Sequence, residues 1–215
     1  MDEILNEVAD FECYTVCDGY SGYFQIRIAL EDQLKTTFIT PWGCFAYRVM
    51  PFGLTNAPAT FQRYVTYVFQ PFFGTSIRVF IDDFCIYSSR ISHLEKVTKG
   101  LARLQSLGGQ LNVDKCHIGE SKVILLGHEI SAKGINADPS KVSALIALPS
   151  PMTARQLVSF LQKVRYLSRF IHLLSQLFLP LQHLTQRSTF TWDEESEHHY
   201  NKVKEVLAPL PTISP

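Results

Sequence analysis

The sequence lacks several features that would place a protein in a particular class. It has no net charge, with 20 Lys and Arg residues against 20 Asp and Glu residues. The N-terminal segment MDEILNEVAD is acidic and no long apolar run follows it, so it is unlike a secretory signal. The stretch FIHLLSQLFLPL is too short and too polar to span a bilayer. We therefore expect a soluble, intracellular protein, cytoplasmic or nuclear, with no membrane partner.

Paired cysteine motifs, internal repeats and low-complexity segments are also absent. The five cysteines are odd in number and lack the short paired spacings of zinc sites, which favours buried free thiols. Cys116 followed by His117 gives only a weak indication of a metal site. A content of 46% hydrophobic and 19% charged residues is typical of a globular protein.

The charges are unevenly distributed. Residues 1–34 hold one Lys or Arg against eight Asp and Glu, whereas residues 35–172 hold sixteen against seven. Either solvated helix faces or a groove that follows a phosphate backbone would explain the basic middle, and charge alone does not choose between them.

Strand and helix patterns alternate in the first part of the chain. CYTVCD predicts a strand that ends at Asp18, and KTTFIT and CFAYRV predict a hairpin around PWG. ATFQRYVTYVF predicts a helix with Asn56 as N-cap, Pro58 in its first turn, and Phe61, Val65 and Val68 on one face. IRVFI and FCIYS then predict a hairpin that turns at Asp82 and Asp83.

The second part of the chain becomes helical. Ser92 and Glu95 form a capping-box pattern before a helix that ends at Gly108 and Gly109. The apolar stripe of that helix is predicted to be Leu94, Val97, Leu101 and Leu104. KVILLGHEIS predicts a strand pair, and helical spacing follows from Asp138, so we predict a domain boundary near residue 137. Leu157, Phe160, Leu161, Val164 and Leu167 form the predicted stripe of a later helix.

Asp82 and Asp83 lie between apolar residues, where unpaired charge is costly. If the strand ending at Asp18 neighbours this hairpin, the carboxylates converge and repel unless cations neutralise them. Hard oxygen ligands suit Mg²⁺, and two such ions support in-line phosphoryl transfer by a polymerase or a nuclease. A solvated turn without chemistry is the alternative interpretation.

The segments VCDGYSGYFQI, MPFGLTNAPATFQ, VFIDDF, LNVDKCHIG and LLGHEIS occur in this order between residues 12 and 131. They resemble the successive polymerase motifs of reverse transcriptases from gypsy-type long-terminal-repeat retrotransposons. The remainder, from DPSKVSALIALPSP to TWDEESEHHYNKVKEVL, resembles the thumb and following segment of that family. The resemblance implies an α+β fold: a right-hand polymerase palm, built as a ferredoxin-like antiparallel sheet with packed helices, followed by a helical thumb.

The resemblance also implies roles for individual residues. Asp18, Asp82 and Asp83 would hold two Mg²⁺ ions, and Lys115 would protonate the pyrophosphate leaving group as a fourth catalytic residue. Tyr23 would exclude a ribose 2′-hydroxyl, and Gly53 and Asn56 would contact the incoming nucleotide. The remaining implied contacts are to template and primer. They are Pro58, Gln62 and Phe80, together with Gly127, His128 and Glu129, which would form the tip of a hairpin in LLGHEIS that holds the primer end. Without the motifs, Tyr23 would be interpreted as a strand-edge aromatic, Lys115 as a solvated lysine, and the PFGLTNAP segment as a well-capped core helix.

The chain departs from the family pattern in two respects. Phe80 stands where tyrosine is usual, so a hydroxyl near the primer end is missing. Few residues, acidic in balance, precede Asp18, and we expect most of the fingers segment, which binds the triphosphate, to be missing. We predict a palm with partial fingers at residues 1–137, a thumb at 138–190, and, at 191–215, the start of a connection towards an RNase H domain that we expect to be absent.

Three functions stay open at this point. The first is RNA-directed DNA polymerisation on an RNA or DNA template with a primer and deoxynucleoside triphosphates. The second is a catalytically inactive retrotransposon remnant that retains the palm fold and weak nucleic-acid binding. The third is a two-metal nuclease, against which the nucleotide and primer motifs weigh. The sequence does not indicate an oligomeric state.

Overall fold

A computed structural model describes residues 2–19, 22–80, 83–186 and 189–214. The helices are α1 (Asp2–Val8), α2 (Leu30–Gln33), α3 (Ala57–Phe69), α4 (His93–Ser106), α5 (Pro139–Ile146), α6 (Ala154–Arg165), α7 (Leu174–Thr185) and α8 (Glu194–Leu207). The strands are β1 (Cys13–Asp18), β2 (Phe38–Thr40), β3 (Gly43–Phe45), β4 (Ile77–Phe80), β5 (Asp83–Ser88), β6 (His117–Glu120), β7 (Lys122–Leu125), β8 (His128–Ser131) and β9 (Gly134–Ala137). Within the described ranges, no helix combines the length and apolar character needed to cross a bilayer.

The main sheet has ferredoxin-like topology. Along the chain its elements run β1, α3, β4, β5, α4, β6, and in space the strands lie in the order β4-β5-β1-β6. All of these neighbours are antiparallel. This is a β-α-β-β-α-β unit, and it confirms the predicted α+β class and sheet.

The two faces of this sheet are covered differently. Alternate residues of β5, such as Phe84 and Ile86, share an apolar cluster with α3 and α4. The residues between them, such as Cys85 and Tyr87, belong to a second cluster that includes α1 and the later helices. Tyr14 of β1 lies on this second face. Because side chains alternate along a strand, Asp18 and Asp83 project from the face opposite α3 and α4.

The helix predictions hold in most details. Phe61, Val65 and Val68 of α3 are buried, and so are all five residues predicted for the stripe of α6. Gly108 has a φ of +78° and follows α4, as predicted for a C-terminal glycine.

The start of α4 differs from the prediction. Ser92 is at the N-cap position, but its side chain makes no cap hydrogen bond. Glu95 instead pairs with Lys99 at 2.5 Å. Leu94 is 78% exposed, and His93 is buried in its place. The predicted capping box and the inclusion of Leu94 in the apolar stripe were therefore wrong. The reason is that two hydroxyl groups bind the His93 ring inside the protein. Thr15 Oγ1 of β1 lies 2.8 Å from His93 Nε2, and Ser88 Oγ of β5 lies 2.7 Å from His93 Nδ1.

The second cluster joins both sides of the predicted boundary at residue 137. It contains Leu5 of α1, Tyr14 of β1 and Ile130 of β8, together with Leu157 of α6 and Tyr200 of α8. β7, β8 and β9 form an antiparallel sheet between these parts. The positions of the domain limits stay predictions, but the parts on either side of residue 137 share this second apolar cluster.

Candidate active site

Two of the three predicted metal-binding carboxylates lie side by side. β1 and β5 pair in a register that places Asp18 directly opposite Asp83. Side chains of directly opposed residues in an antiparallel pair share a face and are typically about 4.5–5.5 Å apart at Cβ. Asp82 lies outside the described residues. The strand pairing alone therefore brings two carboxylates to one edge of the sheet.

The surroundings of Asp83 favour its protonated form. Burial raises the pKa of this carboxyl, the neighbouring Asp18 charge raises it further, and the Lys115 cation acts in the opposite direction. A cation placed between the two carboxylates would neutralise their repulsion and favour the charged form of Asp83 against the effect of burial. The oxygen donors and their mutual repulsion thus fit a hard divalent ion.

Lys115 lies next to these carboxylates. Its Nζ is 3.0 Å from Asp18 Oδ2. The preceding loop is fixed to the same strand, because the Asn112 amide donates to the Asp18 carbonyl at 2.9 Å. The Lys115 side chain is 67% exposed, so this ion pair is weak and the ammonium can exchange Asp18 for another anion.

Among the described residues, no group of three or more His, Cys, Asp or Glu side chains is arranged to hold a metal ion. Asp18 and Asp83 provide the carboxylate oxygens at this end of the strands. The third predicted ligand, Asp82, lies outside the described residues. Cys116, beside His117, donates its thiol to the Asn112 carbonyl at 3.2 Å, so this sulfur has a structural partner.

Tyr23 lies in an aromatic group that the sequence did not reveal in full. Its ring centroid is 5.0 Å from that of Phe52 and 5.7 Å from that of Phe61. Phe24 also contacts Phe52, with ring centroids 5.5 Å apart. Phe52 is 62% exposed, so it forms the open side of this group. The position of Phe52 within the PFGLTNAP segment was the available signal, and we did not predict a role for it or for Phe24.

The PFGLTNAP segment leads into α3 much as predicted. Gly53 has a φ of +94°, a conformation that glycine adopts without strain. Pro58 is in the first turn of α3. Asn56 is at the predicted N-cap position of α3, although its side chain makes no cap hydrogen bond. Its side chain instead lines a cleft of about 500 Å³, which Arg27 also lines.

Most of the other residues predicted to contact template and primer make contacts within the protein. Gln62 donates to Thr66 Oγ1 at 3.4 Å. Phe80, at the end of β4, is opposite Asp83 and half-buried. Glu129 pairs with Lys122 at 2.9 Å. His128 is 4% exposed, and its Nδ1–H donates to the Leu126 carbonyl at 2.9 Å.

The predicted tip of the β7–β8 hairpin is displaced by one or two residues. The strand ends are Leu125 and His128, so the turn consists of Leu126 and Gly127. Both have positive φ, +49° and +70°. This is the pattern of a type I′ turn, and it places His128 and Glu129 on β8 rather than at the tip.

Comparison with known families agrees with this architecture. Residues 2–130 match the family model described as reverse transcriptase (RNA-dependent DNA polymerase). The chain belongs to the reverse transcriptase family. Its α5–α8 part lies outside the matched range.

Curated relatives of this reverse transcriptase chain are retrotransposon polyproteins. It is 30% identical, over 99% of its length, to the retrovirus-related Pol polyprotein from transposon 297 of Drosophila melanogaster. It is 28% identical, over 99% of its length, to the transposon Tf2-3 polyprotein of Schizosaccharomyces pombe. The chain spans only 20% and 16% of the lengths of these two polyproteins.

Solved structures show the same fold. The foamy viral protease-reverse transcriptase in complex with double-stranded DNA, in its dRH form, superposes with a TM-score of 0.92 over 98% of this chain and 38% of that one, at 21% identity. The foamy viral protease-reverse transcriptase in complex with an RNA/DNA hybrid gives a TM-score of 0.89 over 98% of this chain and 29% of that one, also at 21% identity. These similarities confirm the polymerase palm and thumb architecture.

Proposed function

We propose that this chain is the RNA-directed DNA polymerase domain of a gypsy-type retrotransposon polyprotein. The observation that carries the proposal is the opposition of Asp18 and Asp83 at one sheet edge, with the Lys115 ammonium 3.0 Å from Asp18. Membership of the reverse transcriptase family and the polyprotein relatives support it.

In the proposed reaction, the 3′-hydroxyl of a template-paired primer loses its proton to water and attacks the α-phosphate of a deoxynucleoside triphosphate. The bond from the α-phosphorus to the oxygen that bridges to the β-phosphate breaks, and pyrophosphate leaves. Asp18, Asp82 and Asp83 would hold two Mg²⁺ ions, which would supply charge stabilisation at the attacking and leaving oxygens. Lys115 would release Asp18 and donate a proton to the pyrophosphate. The exposure of Lys115 supports this role, because an exposed lysine can reorient at low cost.

The proposed nucleotide contacts are Tyr23, Gly53 and Asn56. The Tyr23 ring is supported by Phe52 and Phe61 and would block a ribose 2′-hydroxyl. Phe52 extends this aromatic surface and is our additional candidate for a nucleotide contact.

The proposed template and primer partners find support in the charge of the thumb. Between Asp138 and Asp193 the sequence contains no Asp or Glu, and α5 and α6 carry Lys141, Arg155, Lys163 and Arg165. Cations in a segment that lacks carboxylates suit contact with nucleic-acid phosphates, although the charge of Lys141 also acts on the Asp138 carboxylate at the start of α5. The foamy viral relatives were solved with double-stranded DNA and with an RNA/DNA hybrid.

Primer extension on an RNA template, with Mg²⁺ and all four deoxynucleotides, tests the proposal. The wild-type chain is expected to extend the primer, and the Asp82→Asn, Asp83→Asn double variant is expected to lose extension while it stays folded. If both proteins are folded and neither extends, the polymerase proposal is wrong. Nucleic-acid binding without extension would then support the inactive-remnant interpretation, whereas template cleavage would support the nuclease.

A further inference from the structure

The tip of the β7–β8 hairpin has a conformation that needs support. Leu126 has a φ of +49°, in the left-handed region that is costly for any residue with a side chain. Asn, Asp and Gly are the usual residues at this position of a type I′ turn. Gly127 suits the second position of this turn, but Leu126 does not suit the first, so contacts outside the turn must hold Leu126.

Those contacts come from the thumb. The Tyr166 hydroxyl, just after α6, donates to the Leu126 carbonyl, which also accepts from His128 Nδ1 at 2.9 Å. The His128 ring packs against Tyr166 and Phe170, with ring centroids 5.3 Å and 5.7 Å apart. The Tyr166 hydroxyl and His128 Nδ1 thus hold the strained Leu126 through its carbonyl, and the Tyr166 and Phe170 rings hold His128.

Gly127 is enclosed by the same part of the thumb. A Cβ added at this position would lie 2.1 Å from Lys141 Nζ and 2.8 Å from the Tyr166 hydroxyl oxygen. The Lys141 ammonium is 5.0 Å from the Tyr166 ring centroid, a cation–π distance that steadies the ring. Lys141 of α5 and Tyr166, just after α6, therefore define where the hairpin tip lies.

The side chains predicted to hold the primer do not compete with this arrangement. His128 is buried and Glu129 is paired with Lys122. The thumb holds the tip backbone, because the Leu126 carbonyl accepts from Tyr166 as well as from His128, and Gly127 lies against Lys141. The placement of the tip, rather than a side chain of β8, would then govern any contact with a primer.

We propose that Tyr166 is a positioning residue, whose hydroxyl couples the thumb to the hairpin tip and so aligns the primer 3′ end with Asp18 and Asp83. This inference rests on the proposed polymerase function. It adds a residue that acts through the hairpin and contacts neither the metal site nor the nucleotide.

The test compares Tyr166→Phe with wild type and with Tyr67→Phe, a control that removes the hydroxyl of an exposed tyrosine on α3. Hydrogen exchange of the amides in residues 125–128 is measured without nucleic acid. Loss of one neutral hydrogen bond should speed their exchange about fivefold in Tyr166→Phe alone. Steady-state primer extension should show kcat reduced about five- to tenfold and KM for the deoxynucleotide changed less than twofold, because the primer end is misplaced while the nucleotide site is intact.

The two measurements separate the possible failures. Unchanged exchange and unchanged kcat in Tyr166→Phe would overturn the proposal. Faster exchange with unchanged kcat would show that the contact holds the tip but does not position the primer, which also overturns it. If the wild-type chain does not extend a primer, the proposed function has failed, and primer positioning fails with it, whereas the exchange result still decides whether Tyr166 holds the tip.

Discussion

At the scale of single residues, the opposition of Asp18 and Asp83 lowers the stability of the folded chain when no metal ion is bound. Two carboxylates share one edge of the sheet, and burial and mutual repulsion raise the pKa of Asp83. A group whose pKa is raised on folding contributes stability at low pH, and that contribution is lost as the pH rises through the folded-state value. Function and stability therefore oppose each other at this position.

We predict that Asp83→Asn raises the stability of the metal-free chain at pH 7 and leaves it nearly unchanged at pH 3.5, where the wild-type carboxyl is protonated. Urea unfolding at both pH values measures this difference. Asp114→Asn, at an exposed position close to Lys115, is the control and should have no such effect. An Asp83→Asn variant that is less stable than wild type at pH 7 would contradict the repulsion argument.

In the primer-extension assay, Asp83→Asn should lose at least about a hundredfold in rate, the scale of removing one preorganised electrostatic group.

His93 gives a second prediction that depends on pH. Its ring nitrogens lie 2.8 Å from Thr15 Oγ1 and 2.7 Å from Ser88 Oγ, and burial, together with the Lys96 charge, lowers its pKa. The folded chain thus prefers the neutral ring, so stability should fall as the pH drops below the unfolded value of about 6.5.

Unfolding free energies at pH 7.5 and 5.5 check this expectation. His93→Gln, which cannot titrate, should flatten the dependence on pH and should itself cost about 1–3 kcal/mol at pH 7.5, because the buried hydrogen bonds are imperfectly replaced. His172→Gln, at an exposed position, should leave the wild-type dependence in place. Equal slopes in all three proteins would show that His93 does not titrate on unfolding.

Single residues could be predicted from sequence where the chemistry is local. Asp18 and Asp83 follow from a strand end and a hairpin turn, and the register confirms their opposition. The surroundings of His93 and His128 could not be predicted in this way, because their partners or neighbours come from segments that only the folded chain brings together. A histidine next to a serine at a helix start gives no sign that hydroxyls of β1 and β5 will enclose it.

At the scale of elements, most strands were predicted from their apolar, aromatic and β-branched residues, including the exposed β2–β3 hairpin, whereas β6 and β9 were not. β1, β4 and β5 carry buried apolar residues and were expected. β6 is exposed throughout, and β9 contains glycine and asparagine. Both pair through the backbone, which leaves little trace in the pattern of side chains.

β9 has a further requirement that is visible only in the structure. Gly134 has a φ of +114°, and a Cβ there would lie 2.4 Å from the Ile213 carbonyl oxygen. Gly74 has a φ of +73° with nothing within 4 Å of the corresponding position. Substitution of Gly74 would therefore test backbone strain alone, whereas substitution of Gly134 would add a steric clash with the Ile213 backbone.

We predict that Gly74→Ala costs about 1–2 kcal/mol, the strain of a left-handed alanine. Gly134→Ala should cost clearly more, about 3 kcal/mol or above, because Ile213 must also move. Chemical denaturation of both variants against wild type provides the comparison. Equal losses would mean that the approach of Ile213 contributes nothing to the requirement for glycine.

At the scale of the whole molecule, the palm and thumb share an apolar core. Leu157 of α6 is 0% exposed and belongs to the same cluster as Leu5 and Tyr14 of the first part of the chain. The change in sequence pattern near residue 137 indicates where the local structure becomes helical. It does not reveal how much surface the two parts bury against each other.

We predict that the chain unfolds in one transition and that Leu157→Ala lowers the midpoint of that transition as a whole, with a loss of about 2–5 kcal/mol. Tryptophan fluorescence, to which the half-buried Trp192 of the segment after the thumb contributes, and far-ultraviolet circular dichroism should give coincident curves. Leu173→Ala, at a half-exposed position, is the control and should cost less than about 1 kcal/mol. Separate transitions by the two probes would show that palm and thumb unfold independently.

The pairing of Ile213 with β9 also has a mechanical meaning. Ile135 and Ile213 exchange two backbone hydrogen bonds, at 2.8 Å and 2.9 Å, beyond the end of α8. A pulling force applied through residue 214 therefore loads this pair before it reaches α8 or the apolar core. β9 is hydrogen-bonded to β8, which begins at the hairpin tip held by Tyr166, so tension at the C-terminal side is transmitted towards the tip through a short, stiff sheet.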